Sequence, residues 1–155
     1  MNKKGIFSGR IETPLDPEGR RQALLAGQEL KDIDIDCIVS SPMQRTLETA
    51  KIIAAQIGYP QEKLITSSLF SERDFGPLEG TKYQPDLGDA VGVEPIDDLL
   101  ARAQAGYDFL QKLQCENILI VSHGAIGRAL RHCVNPDIPF KPSAGFANAE
   151  IVKFF

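Results

Sequence analysis

The stretch "ILIVSHGAIGRAL" (residues 118–130) decides the fold class of this 155-residue chain. Its four apolar residues are typical of a buried strand, and they run through Ser122, His123 and Gly124 into a helix-forming segment. Residues 37–58, "CIVSSPMQRTLETAKIIAAQIG", repeat this order of apolar strand, small polar residues and helix. Continuous apolar strands that alternate with helices indicate an α/β sandwich around a mostly parallel sheet.

Two helix starts are predicted from capping residues. Asp16 has the side chain of an N-cap, and Pro17 after it suits the first helical position. Ser41 and Gln44 have the spacing of a capping box, which predicts that the helix of the second unit begins at Pro42.

The rest of the chain contains further elements and one long irregular segment. Apolar periodicity predicts strands at 63–68 and 149–155 and helices at 96–113 and 125–134. Residues 74–95 are rich in Gly, Pro and Asp and show no period, so we expect a loop that covers a neighbouring surface. No repeat or linker divides the sequence, and we expect a single domain over residues 1–155.

Composition excludes several classes of protein. Hydrophobic residues make up 43% of the chain and its net charge is −4, which suits a soluble globular domain rather than a nucleic-acid or anionic membrane surface. No apolar run reaches the roughly 18 residues of a membrane span. Cys37, Cys115 and Cys133 follow no metal-binding or CxxC spacing, so we expect reduced thiols in a cytoplasmic protein. No metal and no cofactor are expected.

Arg45 and His123 occupy equivalent places in the two strand–helix units. Each lies just beyond the carboxyl end of a predicted strand, where the next helix begins. In open α/β sheets ligands collect at that edge, because helix N-termini there present free N–H groups and partial positive charge. An arginine and a histidine at this edge predict an anion site, and phosphate suits the planar fork of the guanidinium.

Four segments together resemble the histidine phosphatase superfamily, also called phosphoglycerate-mutase-like. They are "GIFSGRIETPLDPEGRRQA" (5–23), "SSPMQRTLETA" (40–50), "LFSERDFGPLEG" (69–80) and "VSHGA" (121–125). The segments cover nearly the whole chain in the order of the family. The resemblance implies a three-layer α/β sandwich and a phosphatase that works through a phosphohistidine.

The family motif R-H-G-E-x-x-x-N, whose histidine is the nucleophile, is not found in this sequence. Asn2 is placed where the final asparagine of the motif would fall, so the resemblance implies that the first strand and its histidine lie upstream of residue 1. Two explanations stay open: the natural protein is longer than this chain, or it is a pseudoenzyme. We favour truncation because Arg45, Glu72 and His123 are all retained.

A sheet lacking its first strand has a structural consequence. We take the two neighbours of that strand to be residues 37–40 and 118–122, and we expect a gap between them. Unpaired N–H and C=O groups along such a gap would make the chain marginally stable.

The resemblance implies roles for individual residues. Arg45 and His123 would hold the phosphoryl oxygens, and Glu72 would be the general acid for the leaving oxygen and then the base for water. Glu79 is interpreted as structural. Further phosphate contacts are expected from the following residues: Asn2, Ser8, Gly9, Gly124 and Ala125.

Two features favour a phosphatase of small phosphorylated metabolites over a mutase. Mutases of the family carry Asn where Ala125 follows the second His-Gly, and the 74–95 segment is short. A non-catalytic binder of phospho-ligands is the alternative from a different class. The chain as given is expected to be inactive, while Arg45, His123 and the helix N-termini keep weak affinity for phosphate or sulfate.

Overall fold

The computed structural model describes residues 5–82, 90–141 and 146–154. Within these residues, a central sheet of three parallel strands forms the middle layer of the fold. The strands are β1 (Cys37–Ser40), β2 (Ile65–Thr66) and β3 (Ile118–Val121). Their order is β2–β1–β3, so β1 is central, and Val39 is in register with Ile65 on one side and Ile120 on the other. The helices of the described ranges are α1 (Pro17–Leu30), α2 (Gln44–Ile57), α3 (Ile96–Gln111) and α4 (Gly124–Val134), with short 3-10 turns at Gln61–Lys63, Ser68–Phe70 and Gly76–Leu78.

A pair of helices covers each face of the sheet. Ile38 and Val121 pack with apolar residues of α1 and α2 on one face. Val39 and Ile120 pack on the opposite face, with Leu130 of α4 and a side chain of α3. Burial on both faces explains why the strands carry no alternation of polar and apolar residues. The predicted three-layer α/β sandwich is confirmed.

One of the two predicted helix starts is confirmed and the other is wrong. The Asp16 carboxylate accepts a hydrogen bond from the Gly19 N–H at 2.7 Å, and Pro17 opens α1 as predicted. The capping box at Ser41 is not formed, because α2 begins at Gln44 and its N-cap, Met43, makes no side-chain cap. The Ser41 hydroxyl accepts the Met43 N–H at 3.3 Å and faces the other strand–helix unit.

The predicted gap in the sheet is also wrong. β1 and β3 are direct neighbours over four residue pairs, from Cys37–Ile118 to Ser40–Val121. Their backbone groups therefore satisfy one another, and a further strand could join only at an outer edge of the sheet. Residues 149–154 are irregular rather than the predicted strand, and Phe154 packs against the face that α3 and α4 cover.

Cys37 and Cys115 form a disulfide, with a Cα–Cα distance of 6.1 Å. Cys37 opens β1 and Cys115 precedes β3, so the pairing of these strands brings together two residues that are 78 apart in sequence. The prediction of reduced thiols is wrong for this pair, because cysteine spacing does not reveal strand order. Cys133 is free. The cytoplasmic location, which rested partly on reduced thiols, stays a prediction.

The irregular segment at 74–95 is closed at its base by two hydrogen bonds between Asp74 and Glu94. The Glu94 N–H donates to the Asp74 carbonyl at 2.8 Å, and the Asp74 N–H donates to the Glu94 carboxylate at 3.0 Å. Gly76 has a φ of +49° and lies so close to the Gly92 carbonyl that no Cβ would fit between them. Residues 83–89 of the predicted cover lie outside the described residues.

Replacement of Cys115 by Ser is expected to lower the free energy of unfolding by about 2–4 kcal/mol, because the cross-link restricts the unfolded chain over a 78-residue separation. Urea unfolding without reductant measures the loss. Cys133→Ser is the matched control, since Cys133 is free. Three reactive thiols in the unfolded, unreduced protein would contradict this prediction.

Candidate active site

His123 lies at the junction of β3 and α4, where it is the N-cap residue of α4. Its Nε2 lies 2.9 Å from the Oγ of Ser41, the first residue after β1. The Ser41 N–H donates to the Val121 carbonyl at 3.0 Å, so backbone and side-chain contacts join the carboxyl ends of the two strands. The two strand–helix units recognised in the sequence therefore meet at one edge of the sheet.

The environment of His123 keeps its imidazole neutral. Burial, followed by the positive charges of Arg45 and Arg102, lowers the pKa of His123 to about 3. A neutral imidazole offers one N–H donor and one acceptor nitrogen. Two cations thus act on an uncharged side chain, and this electrostatic environment favours an anion beside the ring.

Arg45 lies in the first turn of α2 and holds the loop at residues 9–11. Its Nη1 donates to the Ile11 carbonyl at 2.9 Å and its Nη2 to the Gly9 carbonyl at 2.7 Å. Burial lowers the pKa of Arg45, and the Glu72 carboxylate is the strongest of the negative charges that oppose this shift. Arg45 therefore interacts electrostatically with both Glu72 and His123, although the three residues come from separate segments.

The loop at residues 8–10 follows a tight turn beside Arg45. The Ser8 carbonyl accepts the Ile11 N–H at 3.0 Å, and Gly9 has a φ of +45° with the Glu79 carboxylate where a Cβ would lie. Glu79 Oε1 accepts the Arg10 N–H at 2.8 Å and the Phe75 N–H at 3.2 Å. Glu79 thereby joins two loops, which agrees with its interpretation as a structural residue.

Glu72 occupies the N-terminus of α4. Its Oε1 accepts the Ala125 N–H at 3.1 Å, the Ile126 N–H at 3.4 Å and the N–H of its own neighbour Arg73 at 2.8 Å. A carboxylate is stable there because the first N–H groups of a helix have no partner within the helix and carry partial positive charge. The sequence predicted phosphate at Gly124 and Ala125, and in this structure the Glu72 carboxylate binds the Ala125 N–H.

Arg102 of α3 positions the segment that carries Glu72. Its Nη1 donates to the carbonyls of Leu69 at 3.0 Å and Ser71 at 2.7 Å. Its Nε and Nη2 each donate to the Glu94 carboxylate at 2.8 Å, and only 16% of the Arg102 side chain is exposed. Sequence reasoning missed Arg102, because within an amphipathic helix it has the pattern of an ordinary surface charge.

Three further predictions concern Asn2, metal binding and membrane spans. Asn2 lies outside the described residues. In the described ranges, no group of three or more His, Cys, Asp and Glu residues could hold a metal ion. Over the same ranges no helix has both the length and the apolar character needed to cross a membrane.

The family model of the histidine phosphatase superfamily (branch 1) matches residues 1–154. The chain belongs to this superfamily. Among its histidine phosphatase relatives, the uncharacterized phosphatase PhoE of Bacillus subtilis (strain 168) is 33% identical over 148 residues, which span 91% of this chain and 75% of that protein.

Other relatives include both a mutase and a phosphatase. The 2,3-bisphosphoglycerate-dependent phosphoglycerate mutase of Chlamydia felis is 32% identical over 120 residues, 61% of this chain and 52% of that protein. The mycobacterial glucosyl-3-phosphoglycerate phosphatase has a similar fold, with a TM-score of 0.79 at 20% identity over 96% of this chain and 81% of that one. That phosphatase has also been solved with VO3 and with inorganic phosphate. These matches confirm the phosphoglycerate-mutase-like fold predicted from the sequence.

Acidification is expected to destabilise the protein through His123. Its folded pKa of about 3 is below the ordinary value of 6.5, so the unfolded chain takes up the proton first as the pH falls. This contribution to stability is fully present above the unfolded pKa and is lost progressively as the pH falls toward the folded pKa, by at most about 1.4 kcal/mol per pH unit.

Urea unfolding of the wild type and His123→Gln across this pH range measures the effect. The glutamine variant keeps a polar group beside Ser41 but cannot titrate, so its stability is expected to fall less steeply. If the free energy of unfolding depends on pH identically in the wild type and in His123→Gln, His123 is not held neutral in the folded protein.

Proposed function

We propose that the edge of the sheet where β1 and β3 end binds the phosphoryl group of a small phosphomonoester. The observation that carries this proposal is the N-terminus of α4, whose Ala125 and Ile126 N–H groups already bind a carboxylate, that of Glu72. A phosphate dianion carries more charge and more acceptor oxygens than a carboxylate, so it can compete for the same N–H groups.

Arg45 and His123 complete the phosphoryl site in this proposal. The two carbonyl contacts of Arg45 use only part of the guanidinium donor set, and the donors that remain can hold phosphoryl oxygens. His123 can contribute one N–H donor while it is neutral. An anion beside it would also oppose the positive charges that lower its pKa. The loop at Ser8 and Gly9, which Arg45 holds in place, is the further phosphate contact.

The proposed reaction is hydrolysis through a phosphohistidine. A histidine nitrogen attacks phosphorus in line, so that a P–N bond forms while the ester P–O bond breaks, and the leaving oxygen takes a proton from Glu72. Water then attacks phosphorus, Glu72 takes its proton, and the P–N bond breaks to release phosphate. Displacement of Glu72 from α4 by the phosphoryl group would free its carboxyl group for both transfers.

Neither histidine of this chain lies in the Arg-His-Gly motif that holds the nucleophile of the family. His123 Nε2 faces the Ser41 hydroxyl, and His132 Nδ1 lies 2.7 Å from the Ile138 carbonyl. We therefore propose hydrolysis for this domain only where an Arg-His-Gly motif is supplied to it. For the 155 residues alone we propose the second candidate function, binding of a phospho-ligand without turnover.

Hydrolysis is favoured over mutase chemistry by the residue that follows His123-Gly124. Ala125 supplies only its backbone N–H to the site, whereas the Asn of the mutases would add a side-chain amide. The proposed substrate is therefore released as an alcohol and phosphate rather than held for a second transfer.

Inorganic phosphate is expected to bind this chain weakly, and Arg45→Gln should weaken that binding by about tenfold, the loss expected for one charge-assisted hydrogen bond. Isothermal titration calorimetry measures both affinities. Arg21→Gln removes an exposed arginine of α1 that pairs only locally with Glu18, and it serves as the matched control. Equal affinities of the wild type and Arg45→Gln would refute the site.

Turnover of p-nitrophenyl phosphate by the 155-residue chain is expected to be undetectable, because the nucleophile is not among its residues. A variant extended at its N-terminus by a strand that ends in Arg-His-Gly should hydrolyse the compound. Activity of the original chain that disappears in His123→Gln would instead identify His123 as the nucleophile.

A further inference from the structure

The two cysteines of the disulfide differ in their exposure to solvent. Cys37 opens β1 and is 9% exposed, whereas Cys115 is half-buried and is followed by two exposed residues, Glu116 and Asn117. A disulfide is opened when a thiolate from solvent reaches one of its sulfurs. Cys115 is therefore the more accessible side of this bond.

Hydrogen bonds hold the two cysteine segments together independently of the sulfur–sulfur bond. The Asp36 carboxylate accepts the N–H of Glu116 at 2.9 Å and the N–H of Asn117 at 2.8 Å, both at Oδ2. The Asn117 carbonyl accepts the N–H of Asp36 at 2.9 Å and the N–H of Cys37 at 3.3 Å. We call these four contacts the Asp36 clasp. Each cysteine of the disulfide is next in sequence to a residue of this clasp.

The Asp36 clasp keeps the two cysteines close to each other when the disulfide is open. Hydrogen bonds that a charged carboxylate accepts are stronger than neutral ones. The pairing of β1 with β3 continues from the clasp over four residue pairs, from Cys37 to Ser40 of β1. The two thiols of the reduced chain therefore stay within reach of each other and react at a high effective concentration.

We propose that Cys37 and Cys115 form a reversible redox site that exchanges with a dithiol. A thiolate of the dithiol attacks the Cys115 sulfur, so that a mixed disulfide forms there while the bond to Cys37 breaks and the Cys37 sulfur takes up a proton. The second thiolate of the dithiol then displaces Cys115, whose sulfur also takes up a proton. The dithiol loses two protons and two electrons and becomes a disulfide, and the two cysteines gain them.

The Asp36 clasp favours a dithiol over a monothiol as the exchange partner. A mixed disulfide between Cys115 and a monothiol leaves the Cys37 thiol beside it, and that thiol displaces the monothiol and restores the original bond. The second thiol of a dithiol competes with this reversal, because it is tethered to the mixed disulfide and attacks intramolecularly. The site therefore resists reduction by monothiols such as glutathione and responds to dithiols.

Reduction under native conditions tests whether the bond opens in the folded protein. The Cys133→Ser variant leaves only the two cysteines of the site, dithiothreitol is the probe, and alkylation with mass spectrometry counts the free thiols. The rate is expected to rise in proportion to the dithiothreitol concentration and to stay unchanged in low urea, because the folded chain itself is attacked. A rate that levels off with dithiothreitol and rises with urea means that the bond opens only on unfolding, and it overturns the proposal.

Two variants with one cysteine each, both in the Cys133→Ser background, test the entry point. Cys37→Ser keeps the Cys115 thiol, and Cys115→Ser keeps the Cys37 thiol. Oxidised glutathione is expected to form a mixed disulfide about tenfold faster with the Cys115 thiol, because thiol reactivity follows exposure. The reduced chain that has both cysteines should instead expel glutathione and form the internal bond. Equal rates in the two variants, or a stable glutathione adduct on the chain with both cysteines, overturns the proposal.

Asp36→Ala tests the clasp, and Asp34→Ala removes the same charge from an exposed position two residues away. In buffers of reduced and oxidised dithiothreitol, Asp36→Ala is expected to shift the equilibrium about tenfold toward the free thiols, the value of one charge-assisted hydrogen bond. Asp34→Ala should leave the equilibrium unchanged. An unchanged equilibrium in Asp36→Ala, or the same shift in both variants, overturns the role of the clasp. If Asp36→Ala does not fold, Asp36→Asn decides, because it keeps an acceptor oxygen without the charge and should give a smaller shift in the same direction.

Discussion

Parallel pairing between β1 and β3 holds both halves of the candidate site in place. Because Ser40 and Val121 are register partners, the two strands end at the same level, and Ser41 meets His123 directly beyond them. The helix after β1 carries Arg45, and the helix after β3 presents the N–H groups that bind Glu72. A shift of register by one residue would turn the side chains of one strand to the opposite face and separate these groups. The site is therefore a property of the sheet rather than of any one loop.

Glu72 gives the site its own internal anion. The N-terminus of α4 would otherwise present free N–H groups to a pocket that Arg45 and Arg102 already make positive. With Glu72 bound, those N–H groups are satisfied in the absence of a ligand. Two arginines of other segments, Arg10 and Arg102, donate to the backbone around Glu72 and fix where it can lie. A ligand at these N–H groups must therefore compete with a carboxylate. A phosphoryl dianion competes more strongly than a second carboxylate because it has more negative charge and more acceptor oxygens.

Sequence patterns correctly predicted the structural features that depend on local signals or on the repeated strand–helix unit. The apolar strands β1 and β3, the Asp16 cap of α1 and the extent of α4 all have such signals. The failures share a physical cause, which is dependence on contacts between distant segments. The Ser41 hydroxyl faces His123 instead of capping its own helix, Cys37 meets Cys115 through strand order, and the expected gap between β1 and β3 is filled by direct pairing. Arg102 was missed because its partners, the carbonyls at residues 69 and 71, come from another part of the chain.

The disulfide has a mechanical consequence for these two strands. It fastens them at their amino ends, and Ser41 and His123 lie at their carboxyl ends. Backbone pairing of the two strands continues from their amino ends to the Ser41 N–H, which donates to the Val121 carbonyl. The strands are therefore fastened at both ends. A strand that came loose locally would stay tethered beside its partner, so that the ends carrying Ser41 and His123 could pair again.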